Sequence, residues 1–133
     1  MKYFLLMVIF LESSLVLAKD CPESLKLYGE ASSYEKIEGK VVKQVAAYKI
    51  PKTFSDHIGY YDELLVYAKN HITQLEILGK KIPLKKQEDY YRSVGFGLSD
   101  FLAKKNFQGK FTITFLSLNG ESCTREYEVV HGE

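Results

Sequence analysis

The stretch from Phe111 to Val129 alternates apolar and polar residues on either side of Leu118-Asn119-Gly120, and it constrains the fold more than any other part of the chain. Phe111, Ile113 and Phe115 share one side of a strand, Thr112, Thr114 and Leu116 the other, and Cys123, Arg125, Tyr127 and Val129 resume the pattern. The loop length follows from the pairing. A two-residue Asn119-Gly120 turn sets Phe115 against Thr124 and Ile113 against Glu126, which puts polar groups across an aromatic face. A three-residue loop with Gly120 in the left-handed region sets Phe115 against Cys123 and Phe111 against Tyr127, which keeps the apolar faces together. The second register is the one expected. It leaves Arg125 opposite Ile113, a position arginine tolerates when its stem packs and its head reaches out.

The same hairpin holds one of only two cysteines. The other, Cys21, follows a segment with the layout of a secretory signal peptide: Met1-Lys2, nine apolar residues from Tyr3 to Leu11, and small residues at Val16 and Ala18. The apolar run is about half of what a membrane helix needs. Residues 1–18 are therefore expected to be removed, leaving residues 19–133 as a single disulfide-closed domain, secreted or periplasmic. In an oxidising compartment Cys21 and Cys123 are expected to pair, closing a loop of about 100 residues worth roughly 4–5 kcal/mol on the chain-entropy model. Lys19-Asp20 before Cys21 is the wrong context for lipid attachment. No second run of membrane length follows, so no membrane span is expected after processing.

Upstream, Ser24 to Ser33 reads as a strand with Leu25, Leu27, Gly29 and Ala31 on one side, and Glu38-Gly39 as a turn. Lys40 to Ile50 reads as a second strand, with a bulge or short helix as alternatives, before Pro51 ends it. The period then changes. Ile58, Tyr61, Leu65, Ala68, Ile72 and Leu75 recur at steps of three and four, which predicts a helix from Ser55 or Asp56 to about Leu78, with Gly79 as its C-cap. Leu84, Tyr91, Val94, Leu98 and Phe101 predict a second helix to about Lys105, interrupted by Gly95 and Gly97. The expected fold class is α+β: order β-β-α-α-β-β, with two helices packed on one face of a mainly antiparallel sheet.

Chemistry finds little to work with. His57 and His71 are fourteen residues apart, about 21 Å along the expected helix, and cannot share a metal within one subunit. No Cys-x-x-Cys or His-x-x-x-His pair occurs, so no metal site and no cofactor are expected. Ser55-Asp56-His57 is adjacent in sequence but reads as a helix start rather than a catalytic relay. Asp62-Glu63, Glu88-Asp89 and Glu126 with Glu128 are paired carboxylates of the type used in glycoside hydrolysis, though a solvated face yields the same letters. The chain is read as not an enzyme. Removing Lys2 and Glu12 from 18 basic and 17 acidic residues leaves 17 and 16, a balance that gives nucleic acid no purchase.

What remains is surface. Ten tyrosines is a high count for this length. Tyr61, Tyr91 and Tyr127 lie on apolar stripes and are assigned to the core, whereas Tyr60, Tyr67 and Tyr90 fall off them. Exposed tyrosine offers a large contact area at low entropic cost. Lys80, Lys81, Lys85 and Lys86 flank Pro83. The expected function is an exported protein-binding module, an inhibitor or neutralising protein of another exported protein, with Tyr60, Tyr67, Tyr90, Lys85 and Lys86 as binding residues. The alternatives are an accessory subunit of an envelope or extracellular assembly, and a binder of a small apolar ligand.

Overall fold

The computed structural model describes residues 19–55 and 61–131, so the leader, Asp56, His57 and Tyr60 lie outside the described residues. Its strands in chain order are β1 (Lys19–Asp20), β2 (Lys26–Ile37), β3 (Lys40–Lys49), β4 (Thr53–Ser55), β5 (Leu64–Tyr67) and β6 (Ile72–Ile77). Then come β7 (Lys80–Pro83), β8 (Lys85–Gln87), β9 (Tyr90–Arg92), a helix α1 (Leu98–Lys104), β10 (Gly109–Ser117) and β11 (Ser122–Val130). The strands form two sheets rather than one. The five-stranded sheet runs β3-β2-β5-β9-β8; the six-stranded sheet runs β1-β11-β10-β6-β7, with β4 also pairing with β11.

Two-residue turns make this topology. Glu38-Gly39, Leu78-Gly79 and Glu88-Asp89 each close an antiparallel hairpin, and Glu38, Gly39, Leu78, Gly79 and Glu88 all have positive φ. Left-handed residues of this kind match the right-handed twist of the strands they join. The β10–β11 hairpin has the expected three-residue loop, with Gly120 at φ +90° and with Phe115 opposite Cys123 and Phe111 opposite Tyr127. In connectivity the strands follow the immunoglobulin type. Strands β2, β5, β9 and β8 stand where A, B, E and D do, and β11, β10, β6 and β7 where G, F, C and C′ do. Connectivity of this kind carries no function by itself.

The expected α+β fold with two helices is therefore corrected to a β-sandwich with, among the described residues, one seven-residue helix. The first predicted helix is replaced by β5 and β6. Its apparent stripe merges opposite faces of a sheet: Leu64 and Val66 point inward, while Leu65 points out and is buried there. The step from Ile72 to Leu75 comes from a register shift in β6, where Ser117 pairs with Ile72 and Leu116 with Gln74, so Thr73 is an extra residue. The second predicted helix survives only from Leu98, where Leu98 and Leu102 face the core. Before it, Glu88-Asp89 is a turn and Gly95 sits at φ +78°.

One core joins the two sheets. Leu27, Leu64, Val66 and Tyr91 from one side meet Leu75, Ile77, Ile113, Phe115 and Val129 from the other. Tyr61, Tyr91 and Tyr127 are buried as expected. Gly29 in β2 leaves room for Tyr61, whose Cδ1 lies 2.2 Å from where a β-carbon would stand. Arg125 faces Ile113, and its guanidinium donates to the Pro22 carbonyl at 3.0 Å. Burial pushes the Tyr127 hydroxyl above its ordinary pKa, and the hydrogen bond and charge of Arg125 pull it part of the way back. Cys21 and Cys123 are joined, 102 residues apart in sequence, beside the short parallel β1–β11 pairing.

Replacing both cysteines by serine is expected to cost about 2–5 kcal/mol, since the cross-link restricts the unfolded chain. The comparison is a urea titration of the oxidised protein and the double variant. Equal midpoints would show that the bridge stabilises nothing.

Candidate functional site

The outer face of the five-stranded sheet gathers most of the unusual side chains. Alternation along β2, β5 and β9 sends Tyr28, Glu30, Leu65, Tyr67, Tyr90 and Arg92 to this side, while Leu27, Leu64, Val66 and Tyr91 go to the core. Tyr67 packs edge-on against Tyr28, with ring centroids 5.4 Å apart, and lies 5.4 Å from the ring of Tyr90. The guanidinium of Arg92 lies over Tyr90 at 5.6 Å. Leu65, flanked across the strands by Tyr28 and Arg92, is almost wholly buried although it faces outward.

Arg92 organises the polar half of this face. Its Nε donates to Gln87 at 2.9 Å, one terminal nitrogen to the Tyr90 hydroxyl at 3.2 Å, and the other to Glu63 at 2.9 Å. That last nitrogen is also ion-paired with Glu30. The second Glu63 oxygen accepts the Gly95 N–H at 2.7 Å, which ties β5 to the turn after β9. Below it the Ser93 hydroxyl accepts from Leu64 N–H at 2.8 Å and donates to the Phe96 carbonyl at 3.2 Å. Asp62 accepts from Ser32 at 2.5 Å. The Asp62-Glu63 pair is thus spent on holding strands together. Glu88-Asp89 forms a turn, and Glu126 and Glu128 lie on the far sheet.

Beside this cluster the β2–β3 ribbon projects from the sandwich. From Lys40 to Lys49 every residue of β3 is exposed. Apolar side chains stand on both of its faces: Tyr34 is 69% exposed, Val41 70%, Val45 52% and Tyr48 56%. At the root of the ribbon an open groove of about 820 Å³ runs between Val45, Tyr34 and the Arg92 cluster. The most apolar hollow elsewhere, between α1 and β4, is about 260 Å³ and is lined in part by Phe54, Leu102, Phe107 and Val129. That falls just short of the ~300–1,000 Å³ of ordinary small-ligand pockets.

The predicted site residues divide. Tyr67 and Tyr90 come together, and Lys85, paired with Arg92, shares their face. Lys86, paired with Tyr91, points the other way at the sheet edge. Tyr60 lies outside the described residues. Sequence reasoning did not select Tyr28 or the ribbon. The signal for the ribbon was present: after Glu38-Gly39, the run Lys40–Lys49 has apolar residues on both faces and three lysines, the marks of an edge strand that no neighbour covers. His71 stacks on Tyr91 with centroids 4.9 Å apart, and His131 Nδ1 lies 3.1 Å from the Gln108 amide. Among the described residues no three His, Cys, Asp or Glu side chains are placed to hold a metal ion, and no helix is long and apolar enough to cross a membrane. No protein-family model, curated protein or solved structure matches the chain.

Two measurements probe the cluster. Arg92→Met leaves Glu30 and Glu63 facing each other without their shared cation, and is expected to cost about 1–3 kcal/mol in a denaturant titration; an unchanged midpoint would show that the ion pairs contribute nothing. The Tyr67 hydroxyl is pushed above its ordinary pKa by burial first, then by Asp89, Tyr90, Tyr28 and Glu88. The unfolded chain therefore ionises first, and stability falls as pH rises through about 10. In Tyr67→Phe the alkaline loss of stability is expected to be smaller; an identical pH profile would remove Tyr67 as a contributor.

Proposed function

We propose that this chain is an exported protein-binding module that acts by occupying another exported protein, as an inhibitor or neutralising protein does. The observation that carries it is the ribbon beside the tyrosine–arginine face. Burying one Val or Ile side chain contributes about 1.5–3 kcal/mol, and folding of this domain leaves several such groups in water. Export is supported by the leader-like Met1–Ala18 sequence and by a disulfide, which suits an oxidising compartment. The chemistry of the face is that of a contact surface. Tyrosine and arginine are the residues most enriched where partners bind tightly, and here they are held in place by one another rather than free to reorganise.

The reading as an accessory subunit of an extracellular assembly draws on the length of the open β3 edge, since strand exchange is a common way for subunits to join.

The test is capture of a partner from the native extracellular or periplasmic fraction by the oxidised protein, followed by titration of that partner. Tyr67→Ala and Tyr90→Ala are each expected to weaken binding by about fivefold or more, equivalent to about 1 kcal/mol. Their thermal midpoints should remain well above the assay temperature. Affinities within twofold of the parent for both variants would sink this face as the contact surface. The partner's own activity, assayed with and without the module, separates an inhibitor from an assembly subunit.

A further inference from the structure

We propose that β3 receives an extended acidic–apolar segment of another protein by strand addition, becoming the second strand from the edge of a six-stranded sheet. The proposal rests on the binding-module reading and specifies its mode and the chemistry of its partner.

The hydrogen-bond parity of the ribbon shows what β3 offers. The Ile50 N–H donates to the Leu27 carbonyl at 3.1 Å, so in the antiparallel register Gly29 and Tyr48, Ala31 and Ala46, Ser33 and Gln44, and Glu35 and Val42 turn their peptide groups toward each other. The N–H and C=O groups of Val41, Lys43, Val45, Ala47 and Lys49 then face away from β2. The opposite parity on β2 agrees: Glu30 N–H donates to Glu63 at 2.8 Å, and the Glu30 carbonyl accepts from Asp62 at 2.6 Å. β3 ends its sheet, and among the described residues no strand pairs with those five outward groups. Among the described residues the other open edges are shorter, with three residues in β8, four in β7 and the seven of β2 from Ala31 to Ile37 that β5 does not reach, while the outer edge of β11 is paired by β1 and β4. A ten-residue open edge is thus peculiar to β3.

Charge selects the occupant. β3 carries Lys40, Lys43 and Lys49 and no carboxylate. Two copies paired edge to edge would bring three lysines from each into one ladder with nothing to offset them, which is how natural edge strands deter self-association. The same lysines favour a strand with carboxylates. Lys43 and Lys49 lie on one face about 20 Å apart by strand geometry, with Val45 and Ala47 between them. The complementary strand carries an acid, two apolar residues and a second acid at alternate positions. Such a segment gains main-chain hydrogen bonds at the five outward groups and covers Val41 and Val45. Attraction for an acidic strand and rejection of a second copy come from one set of residues.

The probe is an eleven-residue peptide with glutamate at its second and eighth positions, valine at its fourth, sixth and tenth, and threonine elsewhere, so that in the antiparallel register its tenth residue reaches Val41. It is added to the isotopically labelled, oxidised protein, and amide exchange is followed by NMR. The expected result is at least tenfold slower exchange at Val41, Lys43, Val45, Ala47 and Lys49, with Val42, Gln44, Ala46 and Tyr48 unaffected because they already bond to β2. Val45→Pro removes one outward N–H, a change an edge strand tolerates, and should weaken binding at least tenfold while the other amide shifts remain native. Lys43→Glu alone should abolish the preference for glutamate, and Lys43→Glu with Lys49→Glu should reverse it toward a peptide with lysine in place of each glutamate. No perturbation at millimolar peptide, equal binding of the lysine peptide by the parent, or indifference to Val45→Pro would each overturn the proposal. Concentration-dependent dimerisation abolished by Val45→Pro would assign the edge to a second copy and overturn it as well. A captured partner weakened by Tyr67→Ala but not by Val45→Pro leaves the binding module standing and removes strand addition. The converse keeps the strand and removes the tyrosine face.

Discussion

Strand β11 is paired along both edges, and the rest of the molecule is arranged by that saturation. Its inner edge takes β10 over most of its length. Its outer edge takes β1 in parallel near Cys123 and β4 in parallel near Val129. With these pairings made, the N-terminal part of the chain crosses from one sheet to the other and back: β1 in the six-stranded sheet, β2 and β3 in the five-stranded, β4 again in the first. The ribbon is the excursion between two anchored points. It projects because β5 begins at Leu64, opposite Gly29, so that among the described residues the distal half of β2 has β3 as its one strand partner. An edge closed on one sheet leaves an open edge on the other.

The outer face of the five-stranded sheet shows how a polar surface is made rigid without being buried. Arg92 uses its three nitrogens on Gln87 of β8, Tyr90 of β9, Glu30 of β2 and Glu63, the residue before β5. Each bond is modest in water, but together they fix the rings of Tyr90 and Tyr67 relative to the strands below. Leu65, held dry beneath them, adds an apolar floor. A surface set in this way loses little freedom on meeting a partner, which is the condition for exposed tyrosines to contribute to affinity.

The sequence revealed its hairpins with more certainty than its middle. Register in β10 and β11 was legible to the residue because aromatic side chains on one face can pair only one way, and Glu38-Gly39 marked the ribbon turn. The stretch from Tyr61 to Leu75 misled for a physical reason. A strand buried on both faces has no period of two to display, and Leu64, Leu65 and Val66 are all buried. The extra residue at Thr73 then spaced Ile72 and Leu75 three apart, as a helix would. Gly79 fits a helix C-cap and a hairpin turn equally, since both need a left-handed backbone. Tyr67 and Tyr90 stood out because they fall off helical stripes that do not exist; they lie together because alternation in β5 and β9 expels both from the core. Lys86 was one residue out of phase with that face.

The disulfide also decides how the fold bears mechanical load. Tension entering the chain before Cys21 and leaving after Cys123 passes through the sulfur–sulfur bond, so the segment between the two cysteines is not stretched however hard the ends are drawn. Of the described strands, β1 and the part of β11 beyond Cys123 lie in the path of the force, and the latter is the longer. It is held on two sides, by β10 and by β4, and it would have to shear from both to yield. The open edge of β3 sits inside the shielded loop. A partner strand bound there keeps its template intact under a pull along the chain that would peel the last strand of the sandwich.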